Sequence, residues 1–400
     1  MPIVKNQPNL ITFFYKASPR CLIKRICSKL SANNLFIDCH IFDEGYQGTR
    51  TYIEGLYREV ISQAPYINLY LAATDIENLK KIFGKQPNVY YLKYKYKNRY
   101  LRLGLDIPKL LRKYKIDYAH FQYIVPLFKS CKEIVTIHDL LFLDFPKYFP
   151  LSYRVKKEAL FRYSAKRADV LLTVSEYSRQ AICRHYGIGC SDIYITPNAV
   201  SVNRFQISAS EADEVLVKYG LQDYLLYVGR FEPRKNHVLL LKAFVELELW
   251  KRNFKLVFIG RHDIVCKEYE QYYQSLPQVI KEYVLQLVVG DREIEILYKH
   301  CKLFVFPSLA EGFGIPPLEA VAYEVNTLCS NQTAMEEFAF FRDKFFNPND
   351  LEELKTKISY SLDHDNPERL TEDAKIVRKK YNWKTIAHNY IQILHRKSKQ

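Results

Sequence analysis

The stretch YLLYVGRFEPRKNHVLLLKAF, residues 224–244, reads as a strand, a sharp turn and a helix. Its first five residues are apolar and β-rich. Gly229 lets the backbone turn, Pro233 stiffens the loop, and Asn236 suits a helix cap before the apolar helical pattern from His237 to Phe244. Arg230, Arg234 and Lys235 are thereby delivered to a strand end beside a helix N-terminus, a place that favours anions. Arginine grips phosphate with two parallel hydrogen bonds and lysine adds a compact charge, so a diphosphate suits this loop. Ion pairing of the same cations with Glu232 is the plainer alternative.

A second stretch of the same kind is FPSLAEGFGIPPLEA, residues 306–320. It follows the apolar run LFVF. Gly312 and Gly314 bracket a loop whose backbone N–H groups can approach a ligand, and Pro316 and Pro317 suit the first turn of the helix that LEAVAY continues. Glu311 in the loop and Glu319 about a turn into the helix stand eight positions apart. A carboxylate accepts two hydrogen bonds, so vicinal hydroxyls of a ribose or a sugar are suitable partners for each. Glu319 also fits simply as an acid near a positive helix end.

Outward from these two stretches the chain keeps one rhythm. Short apolar runs at 35–42, 67–73, 89–94, 118–125, 133–140, 169–175 and 192–198 alternate with longer helical patterns. The alternation resumes at 224–229, 255–260, 285–290 and 302–308. Strands separated by helices predict parallel sheets covered on both faces, and 400 residues suit two such domains. The expected organisation is α/β: two Rossmann-like doubly wound domains facing a cleft. An N-terminal domain covers 34–203. A C-terminal domain covers 204–382, and 383–400 reads as a further helix. Residues 1–33 fall outside the rhythm; their LITFFY and CLIKRICSKL stretches fit an extra strand and helix, or an interfacial membrane helix.

Charge divides at the same boundary. Residues 1–200 carry 31 Lys and Arg against 16 Asp and Glu, whereas residues 201–400 carry 28 of each. The net +15 therefore reports on the partner of one half. The run YYLKYKYKNRYLRL, residues 90–103, interleaves Lys93, Lys95, Lys97, Arg99 and Arg102 with tyrosines. It suits an anionic membrane surface, and less well a nucleic acid. No uncharged apolar run reaches the length of a membrane span, and Met1 to Pro8 lack a signal-peptide pattern. Nine scattered cysteines, odd in number and without a CxxC pair, are expected as free thiols in a reducing cytoplasm rather than as a zinc site or a disulfide framework.

Taken together, GRFEPRKN and EGFGIPPLE closely resemble the retaining glycosyltransferases of family four, which have the GT-B fold. EGFGIPPLE matches their Glu-seven-residues-Glu motif. QGTRTYIEGLYREV (47–60), VTIHDLLFLDFP (135–146), LLTVSEYSRQAI (171–182) and ITPNAV (195–200) are similar to further landmarks of that family, in order. After its glycine the first of these reads Thr49-Arg50-Thr51, where many relatives read Ile-Gly-Arg. The resemblance implies transfer of a hexose of the mannose, rhamnose or glucose type from a nucleotide diphosphate sugar to a glycan or lipid-linked acceptor, in surface polysaccharide or glycoconjugate assembly. It implies that 34–203 binds the acceptor, with 383–400 returning to it as a C-terminal helix, and that 204–382 binds the nucleotide sugar, where Arg230 and Lys235 bind the diphosphate and stabilise it as it leaves. Glu319 would hold the ribose, with Ile315 at the nucleotide. Glu311, Gly312 and the N–H groups of Phe313 and Gly314 would orient the donor sugar. His138 would contact that sugar from the other domain, and Gly48 would let its loop approach the phosphates. No metal and no other cofactor is expected, since Arg and Lys neutralise the leaving group. The expected site of action is cytoplasmic, on the inner face of the membrane. A glycosidase, a nucleotide-sugar epimerase of the same fold and a nucleic-acid-binding protein are the competing readings.

Overall fold

The computed structural model describes residues 34–43, 48–202, 204–262 and 264–398; the expectations for 1–33 lie outside these. The first sheet has seven strands: β1 (Asn34–Asp38), β2 (Asn68–Ala73), β3 (Val89–Lys93), β4 (Tyr118–Gln122), β5 (Lys132–Thr136), β6 (Val170–Thr173) and β7 (Ile193–Ile195). Their order is β3-β2-β1-β4-β5-β6-β7, with every pair parallel. The second has six: β8 (Tyr224–Val228), β9 (Lys255–Ile259), β10 (Val284–Leu287), β11 (Leu303–Phe306), β12 (Thr327–Ser330) and β13 (Phe345–Phe346). They run β10-β9-β8-β11-β12-β13, again all parallel. Both sheets are doubly wound, and each reverses its strand order beside its first strand. Such a reversal opens a crevice beyond the carboxyl ends of the strands, where ligands of this architecture bind.

Eight helices matter to the site: α1 (Gly48–Gln63), α2 (Leu151–Arg167), α3 (Glu176–Tyr186), α4 (His237–Glu246), α5 (Asp291–His300), α6 (Ile315–Ala322), α7 (Pro367–Lys380) and α8 (Trp383–Ser398). In α1 the buried residues Tyr52, Ile53, Leu56, Tyr57, Val60 and Ile61 recur at helical spacing and form one apolar stripe. The last helix, α8, lies along α1. Tyr57 and Tyr390 meet hydroxyl to hydroxyl at 2.9 Å, and Gln63 donates to the Lys384 carbonyl. The two helices touch at Gly55, where a Cβ would fall 2.0 Å from the Trp383 ring. Only a residue without a side chain admits that approach.

Three expectations change. The apolar runs are longer than the strands they contain: β5 ends at Thr136, β8 at Val228 and β11 at Phe306. The remaining residues of each run are buried or half-buried in the loops that enter the cleft. The run at 90–103 is not a surface patch throughout. Tyr94 is buried and donates to Asp38, and the Arg102 guanidinium, also buried, lies over the Tyr94 ring. Lys93, Lys95 and Lys97 stay exposed. Finally, Cys183 and Cys190 are joined as a disulfide around the turn that ends α3, their Cα atoms 5.6 Å apart. The turn brings together two cysteines whose spacing matches no sequence motif. Cys39, Cys131, Cys266, Cys301 and Cys329 are free thiols.

Candidate active site

The two quoted loops meet because their strands are neighbours. β8 pairs with β11 at the strand-order reversal, so the turns after Val228 and Phe306 emerge side by side. A backbone hydrogen bond from Leu309 N–H to the Arg234 carbonyl, 2.8 Å, fastens them. Above this bond lies a compact charge cluster. Arg234 donates to the Ala310 carbonyl at 2.7 Å and to Glu311 at 3.1 Å, and pairs with Glu232 at 2.9 Å. Lys235 pairs with the other oxygen of Glu311, which also accepts from the Ser308 hydroxyl at 2.7 Å. Arg230 reaches Glu232 at 2.8 Å and is the most exposed cation of the three.

Glu311 is 8% exposed. Burial pushes its carboxyl up, but Lys235 and Arg234 beside it, with the Lys235 and Ser308 hydrogen bonds, more than offset this and hold it down at about 2. Glu311 is therefore a permanent anion that accepts hydrogen bonds and donates none. Its backbone N–H donates to Thr333 at 2.9 Å, which fixes the loop. Phe313 is buried with its ring against Phe338 and Tyr381. Gly314 caps α6 with φ +96°, a conformation that costs any residue with a Cβ. Glu319, on the second turn of α6, receives the Tyr298 hydroxyl of α5 at 3.2 Å. Loss of solvation raises its carboxyl to about 7, with Tyr298 and Arg204 lowering it and Asp291 raising it.

The first domain closes the other wall. Gly48 begins α1, and a Cβ there would lie 4.0 Å from the Ile315 side chain at the start of α6. The starts of two helices, one from each domain, thus lie close together, and a helix N-terminus favours an anion. His138 lies in the loop after β5. Its Nε2 is 2.6 Å from Gln122 Oε1, and burial pulls its imidazole down to about 3, so it is neutral in ordinary buffers. Gly312 packs against Asp139, and its carbonyl accepts from Ser175 at 2.6 Å. Glu337 of the second domain accepts from the N–H groups of Glu176 and Tyr177 at the start of α3.

Beside this cluster lies a cavity of about 470 Å³. Asp38 at the end of β1, His40 after it, Tyr123 after β4, Asp139, Arg99 and Lys157 line it, together with Arg230, Glu232 and Arg234 from the second domain. Sequence reasoning nominated Glu311, Lys235, Arg230, Glu319, Gly48, Ile315, Gly312, Phe313, Gly314 and His138; the structure pairs Lys235 with Glu311, sets Gly48 by Ile315 and Gly312 by Asp139, and lines the cavity with Arg230, while Glu319 meets Tyr298 and His138 meets Gln122. Arg234 was read in the sequence as a further cation of the diphosphate loop; Ser308, Tyr298 and Gln122 were left out. Ser308 stood inside a quoted stretch; Tyr298 and Gln122 lie on other elements and carried no local signal. Among the described residues, no group of three or more His, Cys, Asp or Glu side chains is placed to hold a metal ion.

Two parallel doubly wound domains closing on such a cleft define the GT-B architecture of glycosyltransferases. The fold matches a glycosyltransferase from Rickettsia africae with a TM-score of 0.70 at 15% identity, covering 92% of this chain and 100% of that one. It also matches Anabaena HepE in complex with UDP-glucose, with a TM-score of 0.69 at 13% identity, over 90% and 99% of the two chains. Residues 48–204 match the family model Glycosyltransferase Family 4, and residues 208–397 match Glycosyl transferases group 1. The O-antigen chain mannosyltransferase B of Escherichia coli is 32% identical over 62% of this chain and 67% of its own length. The O-antigen chain mannosyltransferase RfbU of Salmonella typhimurium is 28% identical over 69% and 71%. The serotype-specific mannosyltransferase WbdA of Escherichia coli is 30% identical over 65% of this chain, which spans only 33% of that protein. The chain belongs to glycosyltransferase family 4.

Proposed function

We propose that the protein is a retaining, metal-independent hexosyltransferase of surface-polysaccharide or glycoconjugate assembly. It moves a mannose-type hexose from a nucleotide diphosphate sugar to a glycan or lipid-linked acceptor. The observation that carries this reading is the meeting of Lys235 and Arg234 with Glu311, with Arg230 joined to the same cluster through Glu232. That arrangement offers fixed positive charge to a leaving diphosphate and a fixed anion to sugar hydroxyls. A glycosidase needs no such cations, and an epimerase needs no acceptor cavity. The mannose preference rests on the likeness to O-antigen mannosyltransferases.

In this reading Arg230 and Lys235 hold the diphosphate, with Gly48 and Ile315 presenting helix N-termini to it. Glu319 accepts from the ribose diol. The bond from the anomeric carbon to the diphosphate oxygen breaks as the acceptor hydroxyl enters on the same face. The acceptor's proton passes to the leaving phosphate oxygen, so no protein base is required. The cations stabilise the charge that grows on the leaving group, a role that needs little reorganisation because ion pairs with Glu232 and Glu311 already orient Arg230 and Lys235. Glu311 and the N–H groups after it orient the sugar, His138 meets it from the opposite domain, and the acceptor occupies the cavity beside Arg230.

The acceptor is reached at an anionic membrane surface on the cytoplasmic side. No described helix is long and apolar enough to cross a membrane. The surface near the cavity exposes Tyr100, Leu101, Leu105, Leu151 and Val155, and Lys156 lies over the Tyr100 ring. Apolar side chains among cations suit an anionic interface better than a nucleic acid.

The deciding experiment incubates the protein with GDP-mannose, UDP-glucose, dTDP-rhamnose and ADP-glucose and follows nucleoside diphosphate release, with EDTA present. Release from one donor in EDTA, and a product whose anomeric configuration by NMR equals the donor's, supports the reading. Inversion, or activity that only Mg²⁺ or Mn²⁺ restores, overturns it.

A further inference from the structure

Behind His138 runs a chain of buried polar groups that reaches the C-terminal helix. His138 Nε2 is 2.6 Å from Gln122 Oε1, and Gln122 Nε2 is 3.1 Å from His120 Nε2. His120 Nε2 also lies 2.8 Å from the Thr136 hydroxyl, and its Nδ1 lies 2.6 Å from the Tyr57 hydroxyl. Tyr57 meets Tyr390 of α8 at 2.9 Å. All six side chains are buried, His120, Thr136, Tyr57 and Tyr390 completely. Tyr57, Thr136 and His138 fall within stretches quoted for the family resemblance, whereas Gln122, His120 and Tyr390 do not.

The donor and acceptor inventory gives this chain a direction. An amide oxygen only accepts, so His138 carries its proton on Nε2 and leaves Nδ1 bare. An amide nitrogen only donates, so His120 has a bare Nε2 that accepts from Gln122 and Thr136. A neutral His120 then carries its proton on Nδ1 and donates it to Tyr57, which donates to Tyr390. The two histidines are therefore opposite tautomers, set by one amide between them. Among the described residues His138 Nδ1 has no hydrogen-bond partner, and it is not among the fully enclosed polar atoms.

We propose that Gln122 is a positioning residue which, backed by His120, Tyr57 and Tyr390, holds His138 as a neutral imidazole with its Nδ1 lone pair free for a hydroxyl of the donor sugar. This rests on the reading of His138 as a donor-sugar contact. His138 thus binds a hydroxyl that donates to it and supplies no proton to the reaction. The groups facing it are Tyr52 and Tyr123, with ring centroids 5.1 and 5.3 Å away, and neutral His120. Among the described residues no carboxylate in this shell draws a second proton onto the ring. The same chain makes α8 part of the support of the opposite wall of the cleft, since Tyr390 is its far end.

The test uses the full chain with ¹⁵N-labelled histidine and reads tautomers from long-range ¹H–¹⁵N spectra at neutral pH. The expected result is His138 protonated at Nε2 and His120 at Nδ1, with Gln122→Leu moving His138 toward a mixture. In parallel, binding of GDP-mannose, UDP-glucose and dTDP-rhamnose is compared with that of GDP, UDP and dTDP. Gln122→Leu should weaken the preferred sugar nucleotide by about five- to tenfold while leaving its nucleoside diphosphate unchanged. Gln122→Glu keeps an acceptor for His138 and should restore most of that binding, but its carboxylate favours imidazolium, so binding should then decline as pH falls. His138 protonated at Nδ1 overturns the proposal, as does a Gln122→Leu protein with wild-type tautomers and wild-type sugar discrimination. If no sugar nucleotide binds, the functional reading fails, and the tautomers alone then decide whether Gln122 orients His138.

Discussion

Lys235 and Glu311, drawn from two loops 76 residues apart, are ion-paired to each other beneath the cleft. Each was nominated for a different part of one donor, the lysine for its diphosphate and the glutamate for its sugar. Their pairing means that neither is an isolated charge waiting for a ligand. The cluster with Arg234, Glu232 and Arg230 holds three cations and two carboxylates, with the Asp139 carboxyl close by Arg234, so a phosphate would meet cations already engaged with carboxylates.

Lys235→Ala should weaken binding of the donor's nucleoside diphosphate about 10- to 150-fold, the cost of losing a charged hydrogen bond. Glu311 keeps Arg234 and Ser308, so the fold should survive. Titration calorimetry checks the first statement and a thermal melt the second. Wild-type affinity would remove Lys235 from the diphosphate site.

Nucleotide affinity should rise with pH through about 7, where Glu319 ionises and becomes a stronger acceptor for the ribose diol. The sign for stability is opposite. The carboxyl is raised from 4.5 in the folded state, so the native protein binds more protons and this group's contribution falls as pH climbs from about 4.5 to 7. Glu319→Gln should flatten both dependences. Calorimetry from about pH 5.5 to 8.5, a range that spans this ionisation, reads the difference between the two proteins.

Gly55→Val should separate α8 from α1, because its Cβ would fall inside the Trp383 ring. The expected result is early proteolytic loss of the C-terminal helix and a lowered melting temperature. A Gly55→Val variant as resistant as wild type would show that the helix contact tolerates rearrangement.

Vesicles containing anionic lipid should co-sediment the full-length protein at low salt and release it at high salt. Each basic residue near such a surface contributes about 1 kcal/mol, screened within about 10 Å at 0.1 M salt. Leu151→Glu with Val155→Glu, both at exposed positions of α2, should reduce binding without changing turnover of a water-soluble acceptor. Indifference of the wild-type protein to anionic vesicles at low salt would overturn membrane docking.

Most of the fold was legible because burial on both faces of a parallel sheet demands continuous apolar runs, and this chain has one at every strand from β1 to β11. The last two strands, β12 and β13, were not singled out. TLCS mixes polar and apolar residues, and Phe345–Phe346 is too short to announce itself. The disulfide between Cys183 and Cys190 escaped notice because a turn, not a motif, brings its two ends together.

The sequence by itself determined the two doubly wound domains, the family and the loops that carry the chemistry. Those follow from local rules: apolar periodicity, glycine at turns, cations beside helix N-termini. Only the tertiary structure decided who pairs with whom. It turned Tyr94 and Arg102 inward from a run that reads as a surface patch, and it set Lys235 on Glu311. It also placed Gln122 behind His138 and Tyr298 under Glu319. These contacts join elements distant in sequence, and their strength depends on burial and on a few tenths of an ångström. Neither quantity is written in the spacing of residues along a chain.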